Sequence, residues 1–428
     1  MTRFSPPERE ALIARIPAVR AAILANIRPF DQCDGACLPI AGADYAGIWL
    51  EHDQDWFFLA DPTIGLGAEA VRAAWNAHEA FLAHQRNDGL FPFCLPLQWG
   101  EKYYFDHPAE FSQTQAVWSP VRCGIELARR LGRPERDFAR LYEAGARYDA
   151  WFRRNRDRAG TGLAEMYCEY DTGHDKDPRV IDGGIPHSCP GGDASAMPDI
   201  PCMPVLSVDL SAMLFGTRVA LAELADMLGR PSDAARWRAD AESLGNAIRR
   251  HLYDPEDEFF YDRDPAGFRK YRTEHITRLF LNGVLIQEEF DRVWERHFAT
   301  PGHGFAPPFP IPAMAVDDSH FPPEPIPNSW GRNTQALTLL RALLWADRYE
   351  RGEWLNDLLA TWLGSTLLHP DRFRFQQEID PFTGAPIGES GNYTPSLLLY
   401  LEAIERLSLN LTPLSNANHV AGAAPAGK

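Results

Sequence analysis

Apolar residues recur every three or four positions along most of the chain, the period of an amphipathic α-helix. Proline at a helix start and glycine just past a helix end mark several boundaries, as at Pro134, Pro231, Gly132 and Gly229. The pattern predicts ten longer helices, over 8–28, 68–86, 112–131, 135–156, 207–229, 232–252, 286–297, 331–348, 352–367 and 394–407, and two shorter ones, over 52–60 and 273–281.

The connections between these helices are alternately short and long. Short links such as LGRPER and LGRPSD predict antiparallel hairpins. Long loops in a compact domain usually carry function, and here they cover 29–51, 87–111, 157–206, 299–330 and 368–393. Twelve helices in hairpins favour an all-α (α/α)6 barrel, with the long loops forming a pocket at one mouth.

The chain shows no internal change of composition that would mark a domain boundary. We therefore expect one catalytic domain over 1–412. The remainder, 413–428, ends in AGAAPAGK and is predicted to be a disordered tail.

The charge balance limits the partners. The formal net charge is −17, which would repel a nucleic acid. A neutral or cationic small ligand fits better, and an anionic one would need arginines that reverse the field locally. Twelve tryptophans are compatible with a pocket for ring-shaped ligands.

The seven cysteines form no CxxC pair and no zinc pattern, which predicts free thiols in a reducing cytoplasm. The first residues, MTRFSPPEREALIARI, lack the features of a signal peptide. No apolar run reaches the ~18 residues of a membrane span. We expect a cytoplasmic protein with no membrane partner, and the oligomeric state stays open.

One loop segment concentrates ionisable residues: CEYDTGHDKDPR, residues 168–179, holds Asp171, Asp175, Asp177 and Arg179. Carboxyls this close together cannot all be buried as unpaired anions. Arg179 could keep one carboxyl ionised while another stays protonated, which is the requirement for acid catalysis at a glycosidic bond. The spacing does not fit an EF-hand, although a metal site at His174 with a neighbouring aspartate stays an alternative.

Three further segments hold candidate residues, each with a purely structural alternative. In 45–61, Asp53 and Asp55 lie near Trp49 and could instead cap a helix. In 374–386, Glu378 precedes a turn and could be a surface residue, and Glu389 further on is its rival. In 327–344, Trp330 could be a core anchor and Asn333 a helix cap.

Six segments, in order, resemble a clan of (α/α)6-barrel glycosidases that contains family 37 trehalases, family 63 α-glucosidases, and mannosylglycerate and glucosylglycerate hydrolases. The segments are YAGIWLEHDQDWF, SQTQAVW, EYDTGHDKDPR, SVDLSAMLF, LYDPEDEFFYDRD and QQEIDPFTGAP. The chain departs from the clan's pattern where His174 replaces Trp, Asp177 replaces Ser, Ile379 replaces Asn and Thr114-Gln115 replaces a Pro-Pro pair. Asp53 matches the clan's aspartate only if His52 stands in for its tryptophan.

The resemblance implies an inverting hydrolase, for which we expect no cofactor and no metal. The long loops that crowd the pocket opening predict exo-action on a small glycoside. Asp175 would be the general acid and Glu378 the general base, with the carboxyls about 6.5–9.5 Å apart to admit a water. The substrate would be a small α-linked glucoside or mannoside: a glycosylglycerate, a trehalose-like sugar or a short oligosaccharide. Arg179 and Arg332 could orient an anionic leaving group such as glycerate. The expected substrate-binding residues are Trp49, Asp53, Asp55, Gln113, Trp118, Arg179, Trp330 and Asn333.

Two other classes stay open. A sugar epimerase or polysaccharide lyase on a similar barrel would need a proton-abstracting base, for which His187, His275 and His303 are the candidates. A carbohydrate-binding helical protein without turnover is the third possibility.

Overall fold

The amphipathic segments fold as helices near their predicted positions in the computed structural model, which describes residues 3–409. The segment predicted as a disordered tail, 413–428, lies outside the described residues. The helices are α1 Pro6–Ala25, α2 Asp53–Leu59, α3 Ala68–Ala83, α4 Pro120–Arg130, α5 Glu135–Asn155, α6 Pro178–Ile181, α7 Val208–Met227, α8 Pro231–Leu252, α9 Thr277–Leu281, α10 Gln287–His297, α11 Ala336–Trp345, α12 Gly352–Leu368 and α13 Thr394–Arg406.

Six of these helices form a closed inner ring. In order around the ring, α2, α4, α7, α9, α11 and α13 each contact the next, and α13 contacts α2. Each inner helix has an outer partner, which is α3, α5, α8, α10, α12 or α1. The protein is therefore an (α/α)6 barrel, as the sequence predicts.

Burial distinguishes the two rings. The inner helix α7 buries fifteen of its twenty residues, including residues on every side. Its outer partner α8 buries seven of twenty-two, all on one stripe. A helix apolar on all sides belongs in a core, whereas a one-sided helix faces water with its other face.

Two predicted helices begin later than expected. The segment 112–119 is a loop, because Pro120 sets the first turn of α4 and the Ser119 hydroxyl accepts from Arg122 N to cap it. The segment 331–335 is also not helical: it ends in a short strand before α11. The pattern missed the short helix α6.

Short strands tie the long loops together. They are β1 Ile27–Phe30, β2 Ala36–Pro39, β3 Gly47–Trp49, β4 Cys94–Pro96, β5 Glu165–Met166, β6 Val205–Leu206, β7 Tyr253–Asp254, β8 Phe259–Phe260, β9 Arg263–Asp264, β10 Gly267–Phe268, β11 Thr334–Gln335, β12 Glu378–Ile379 and β13 Pro386–Ile387. Strand β12 pairs antiparallel with β11 and β13, which places Glu378 opposite Gln335 at the entry to α11. Within residues 3–409, the helices are all too short or too polar to cross a bilayer.

Candidate active site

Two adjoining cavities open where several inner helices begin. The larger has a volume of about 470 Å³ and is lined by Asp175, and the smaller has a volume of about 290 Å³ and is lined by Glu378. Five residues line both cavities: Asp44, Tyr45, Asn328, Gln377 and Tyr393. The fold therefore brings two carboxyls that lie about two hundred positions apart in the sequence to one region.

Asp175 lies on the loop that precedes α6. Its backbone oxygen accepts a hydrogen bond of 2.8 Å from Trp330 N, which anchors the loop to the entry of α11. Burial, together with the nearby charges of Glu51 and Glu169, raises the pKa of Asp175 to about 7. A carboxyl with such a pKa holds a proton over a large part of the neutral range.

Glu378 is buried on β12, and neighbouring groups donate hydrogen bonds to both of its carboxylate oxygens. Asn328 N donates to its Oε1 at 2.5 Å, and Asn333 Nδ2 donates to its Oε2. Burial raises the pKa of Glu378 to about 7, against the hydrogen bonds from Asn333 and Asn328, which lower it. These donors stabilise the carboxylate form.

Asn328 contacts both carboxyls. Its backbone N–H binds Glu378, and its side-chain Nδ2 lies 3.4 Å from Asp175 Oδ2. Glu378 thus receives two close donors and Asp175 one distant donor. This difference favours the proton on Asp175 and the negative charge on Glu378.

Aromatic and amide side chains form much of the larger cavity's wall. Trp49, Phe105 and Trp330 line it, with Tyr45 edge-on to Trp49 at a ring distance of 5.5 Å. Gln113 also lines the cavity. Flat apolar rings beside amide groups suit a sugar, which has an apolar face and a rim of hydroxyls.

Asp53 and Asp55 do not line either cavity in the described part of the chain; Glu51 and His52 line the larger one instead. Both aspartates lie in the first turn of α2 and are buried in the barrel. Asp55 Oδ2 is 2.8 Å from His52 Nδ1, so Asp55 orients the imidazole that reaches the cavity. The two aspartates lie away from the cavities because the helix begins immediately after His52, which turns the next residues inward.

Trp118 and the two arginines proposed to bind substrate also lie elsewhere. Trp118 packs edge-on to Phe57 and lines a different cavity. Arg179 is fully buried in an ion-pair cluster with carboxylates. Arg332 donates to Asp380 and to two proline carbonyl oxygens. Asn333 contributes through Glu378 rather than by lining a cavity.

His174, the residue that replaces the clan's tryptophan, is buried beneath the cavity. Its Nε2 lies 2.7 Å from Glu274 and its Nδ1 lies 3.2 Å from Asp209, while its ring is edge-on to Trp330. These contacts give it a structural place under the wall of the site, distinct from the metal role considered with a neighbouring aspartate.

A group with metal-ligand spacing does occur in the described residues, at Cys168, Asp171 and Cys189. Arg156, however, already donates to Asp171 at 2.6 Å and lies 3.5 Å from Cys189 Sγ. A guanidinium thus supplies the positive charge that an ion would bring.

The histidines considered as bases for other reactions lie off the cavities. His275 is buried against Thr273 and the Phe260 carbonyl oxygen. His187 and His303 are exposed. Glu389, the rival of Glu378, lines the smaller cavity but is exposed.

Several residues of the site were missed from sequence: Tyr45, Glu51, His52, Asn328 and Tyr393. Glu51 and His52 belong to the segment YAGIWLEHDQDWF, and they immediately precede the start of α2 at Asp53. Placing that helix start correctly would have identified them as the residues that reach the cavity. Asn328, with φ of 50°, sits in a left-handed turn whose shape no sequence period encodes.

An (α/α)6 barrel with one buried and one half-buried carboxyl of raised pKa beside aromatic walls has the make-up of a carbohydrate-processing enzyme. Residues 63–396 match the family model described as the mannosylglycerate hydrolase MGH1-like glycoside hydrolase domain. That range is most of the chain. The chain belongs to this family and is a glycoside hydrolase, which confirms the resemblance drawn from its motifs.

Solved structures share the fold. A GH63 mannosylglycerate hydrolase from Thermus thermophilus in complex with Tris is similar with a TM-score of 0.66 and 17% identity, over 90% of this chain and 98% of that one. The same enzyme in complex with Tris and D-glycerate is similar with a TM-score of 0.65 and 16% sequence identity, over 90% of this chain and 99% of that one. Neutral trehalase Nth1 from Saccharomyces cerevisiae is similar with a TM-score of 0.61 and 14% sequence identity, over 88% of this chain and 75% of that one.

Proposed function

We propose that this protein hydrolyses a small α-linked glucoside or mannoside from its end, with inversion of configuration. Asp175 acts as the general acid and Glu378 as the general base. The observation that carries the proposal is the shared contact with Asn328, which joins the half-buried carboxyl of Asp175 to the buried carboxyl of Glu378 across adjoining cavities, both with a raised pKa.

The reaction needs one proton given and one taken. Asp175 donates its proton to the glycosidic oxygen as the bond to the anomeric carbon breaks. Glu378 accepts a proton from a water that attacks the same carbon from the opposite face. The two carboxyls exchange protonation states during turnover and return to their starting states by exchange with solvent.

The surroundings support these roles. The donors around Glu378 favour its ionised form, and the negative charges near Asp175 favour its protonated form. Trp49 and Trp330 provide ring faces for the sugar, and Gln113 provides hydrogen bonds. Asn333 holds Glu378 in place.

The test is a panel of α-glucosides and α-mannosides, including trehalose and glycosylglycerates, followed by proton NMR. We expect the β-anomer of the free sugar to appear first. Trehalose should give the α- and β-anomers in equal amounts, because its leaving sugar is itself α-glucose. For the other compounds, release of the α-anomer of the terminal sugar would contradict inversion.

Variants separate the two roles. Asp175→Asn and Glu378→Gln should each lower kcat by about 10²–10⁴, the usual contribution of a general acid or base. Asp371→Asn, which removes an exposed carboxyl, serves as the control and should leave the rate unchanged. If Glu389→Gln abolished turnover and Glu378→Gln did not, the base would be Glu389.

A further inference from the structure

The peptide unit that follows the proposed general acid is held at both of its polar atoms. Its carbonyl oxygen, that of Asp175, accepts the hydrogen bond of 2.8 Å from Trp330 N. Its N–H, that of Lys176, donates to Glu169 Oε1 at 2.5 Å. Because a peptide unit is planar, holding both atoms fixes the orientation of the plane that carries the Asp175 Cα.

The backbone at Lys176 needs this support. Its φ is 59°, in the left-handed region, which costs free energy for a residue with a side chain. The turn is closed by a hydrogen bond of 3.2 Å from Asp177 N to the His174 carbonyl oxygen. The Lys176 side chain is exposed, with its Nζ on the Pro327 carbonyl oxygen. Glu169 supplies the acceptor for the N–H inside this turn.

Glu169 is itself held firmly. Its side chain is fully buried, and its Oε2 accepts a hydrogen bond from His187 Nδ1. Two backbone hydrogen bonds tie its segment to residues 186–187: Glu169 N donates to Pro186 O at 2.8 Å, and Tyr170 N donates to His187 O at 3.3 Å. Within residues 3–409, Glu169 lies outside the lining of both cavities, so it reaches the reaction through the acid rather than by direct contact.

His187 covers the outer side of the Glu169 carboxylate. Its side chain is 74% exposed, and its ring stacks on Tyr170 at a ring distance of 5.5 Å and an angle of 18°. Tyr170 lines the larger cavity beside Asp175. Glu169 and His187 therefore support one wall of the cavity together with the loop that carries the acid.

Glu169 also acts on Asp175 by its charge. Glu169 and Glu51 are the two carboxylates whose charges raise the pKa of Asp175. Glu51 acts from the segment before α2, whereas Glu169 acts from the acid's own loop. His174 and the Asn328 side chain act in the opposite direction, and Tyr45 and Tyr170 are the other ionisable groups that Asp175 influences.

We infer that Glu169 is a positioning residue for the general acid: it holds the peptide plane beside Asp175 and keeps a negative charge near the carboxyl that must carry a proton. It contacts neither the substrate nor the reacting atoms. The inference rests on the proposed function and adds to it a residue that places the acid.

The Glu169→Gln variant isolates the charge. Glutamine has the same length and keeps an oxygen that accepts from Lys176 N. In a profile of kcat/KM against pH, we expect the alkaline limb, where the acid ionises, to move to lower pH by about half a pH unit, because a nearby negative charge is lost. Glu295→Gln, which removes an exposed carboxylate on the outer helix α10, is the matched control and should leave the limb in place.

The Glu169→Ala variant removes the hydrogen bond as well as the charge. We expect its kcat to fall at least about tenfold below that of Glu169→Gln, because the acid is no longer held in its orientation. KM should stay within about threefold of the Glu169→Gln value, since Glu169 does not contact the substrate. A purely structural role would lower the rate equally at every pH and leave the alkaline limb unmoved. Equal kcat values for the two variants would reject the positioning role.

A titration that needs no turnover follows the acid directly. Carbon-13 NMR of protein labelled at the aspartate Cγ reports each carboxyl, and loss of one resonance in Asp175→Asn identifies that of the acid. We expect Glu169→Gln to lower the titration midpoint of Asp175 by about half a pH unit. An unchanged or higher midpoint would overturn the inference.

A second variant serves if Glu169→Gln does not fold. Glu169→Asp keeps the charge but withdraws the carboxylate from Lys176 N by one methylene group. We expect kcat to fall at least about fivefold while the Asp175 midpoint stays within about 0.3 pH unit of the parent value. An unchanged kcat would reject the role of the hydrogen bond.

Failure of the inference and failure of the proposed function give different results. If the glycosides are hydrolysed with inversion and the Asp175 midpoint ignores Glu169→Gln, the hydrolase stands and the inference fails. If none of the glycosides is turned over and the midpoint moves as expected, the proposed function fails for them, and Glu169 still acts on Asp175.

Discussion

Replacing Arg179 by methionine tests whether this residue supports the fold or binds substrate. Its guanidinium is fully buried and contacts three carboxylates: Asp177 at 3.2 Å, Asp209 at 3.1 Å and Asp262 at 2.5 Å. Methionine fills similar space but leaves those carboxylates without their shared cation.

The expected loss follows from what each carboxylate retains. Asp177 keeps the hydrogen bond from the backbone N–H of residue 179, Asp262 keeps Val208 N, and Asp209 keeps the Ser207 hydroxyl. Each therefore stays partly satisfied. Removing one partner of a buried ion pair costs about 3–5 kcal/mol, and we expect a loss of about 4 kcal/mol in the free energy of unfolding.

The assay is equilibrium urea unfolding at low temperature, followed by far-UV circular dichroism and tryptophan fluorescence. The slope of the free energy against urea should stay unchanged, and Arg179→Lys, which keeps the charge but not the fork of donors, should lie between the variant and the parent. Because the guanidinium lies outside both cavities, KM of the folded variant should stay within about twofold, as the fold loses stability without losing a substrate contact. A stability loss below about 1 kcal/mol together with a large rise in KM would refute this reasoning and would indicate that Arg179 binds the substrate.

Three further outcomes follow from the same geometry. The rate kcat/KM should peak near pH 7 in a pH–rate profile, because protonation of Glu378 disables the base below its pKa of about 7 and ionisation of Asp175 disables the acid above its pKa of about 7; a flat profile from pH 5 to 9 would contradict both roles. Trp118→Leu should lower the midpoint of thermal unfolding through lost packing and leave KM unchanged, and a raised KM would place this ring in the sugar site after all. Gly173→Ala should destabilise the protein by about 1–2 kcal/mol in urea unfolding and reduce kcat, because the left-handed backbone and the nearby Glu51 both resist a Cβ; a neutral result would show that the loop adapts.

The barrel could be predicted because its helices are long and their ends are marked chemically. The outer helix α8 has a one-sided apolar stripe, a proline at its start and basic residues in its last turn, so local chemistry alone defines it. The closure of the ring of inner helices could not be predicted from local sequence patterns alone. It rests on contacts between α13 and α2, which lie more than three hundred positions apart in the sequence.

The candidate site was harder to predict, because its shape depends on where helices begin. A shift of one or two residues at the start of α2 decides whether Glu51 and His52 or Asp53 and Asp55 face the cavity. Asn328 belongs to a loop whose neighbours come from distant parts of the chain, so its contacts exist only once the barrel has formed.

The pairing of α1 with α13 has a consequence for synthesis. The Tyr400 hydroxyl donates to the Leu12 carbonyl oxygen at 2.7 Å, across 388 positions of sequence. During translation, the first helix must therefore wait for nearly the whole described chain to emerge before it finds its partner. Until then the nascent chain exposes an apolar seam along α1, α2 and α11, which is a binding surface for chaperones and a route to aggregation. Contacts of such long range also favour slow folding, so the enzyme is expected to become active only after α13 has emerged from the ribosome.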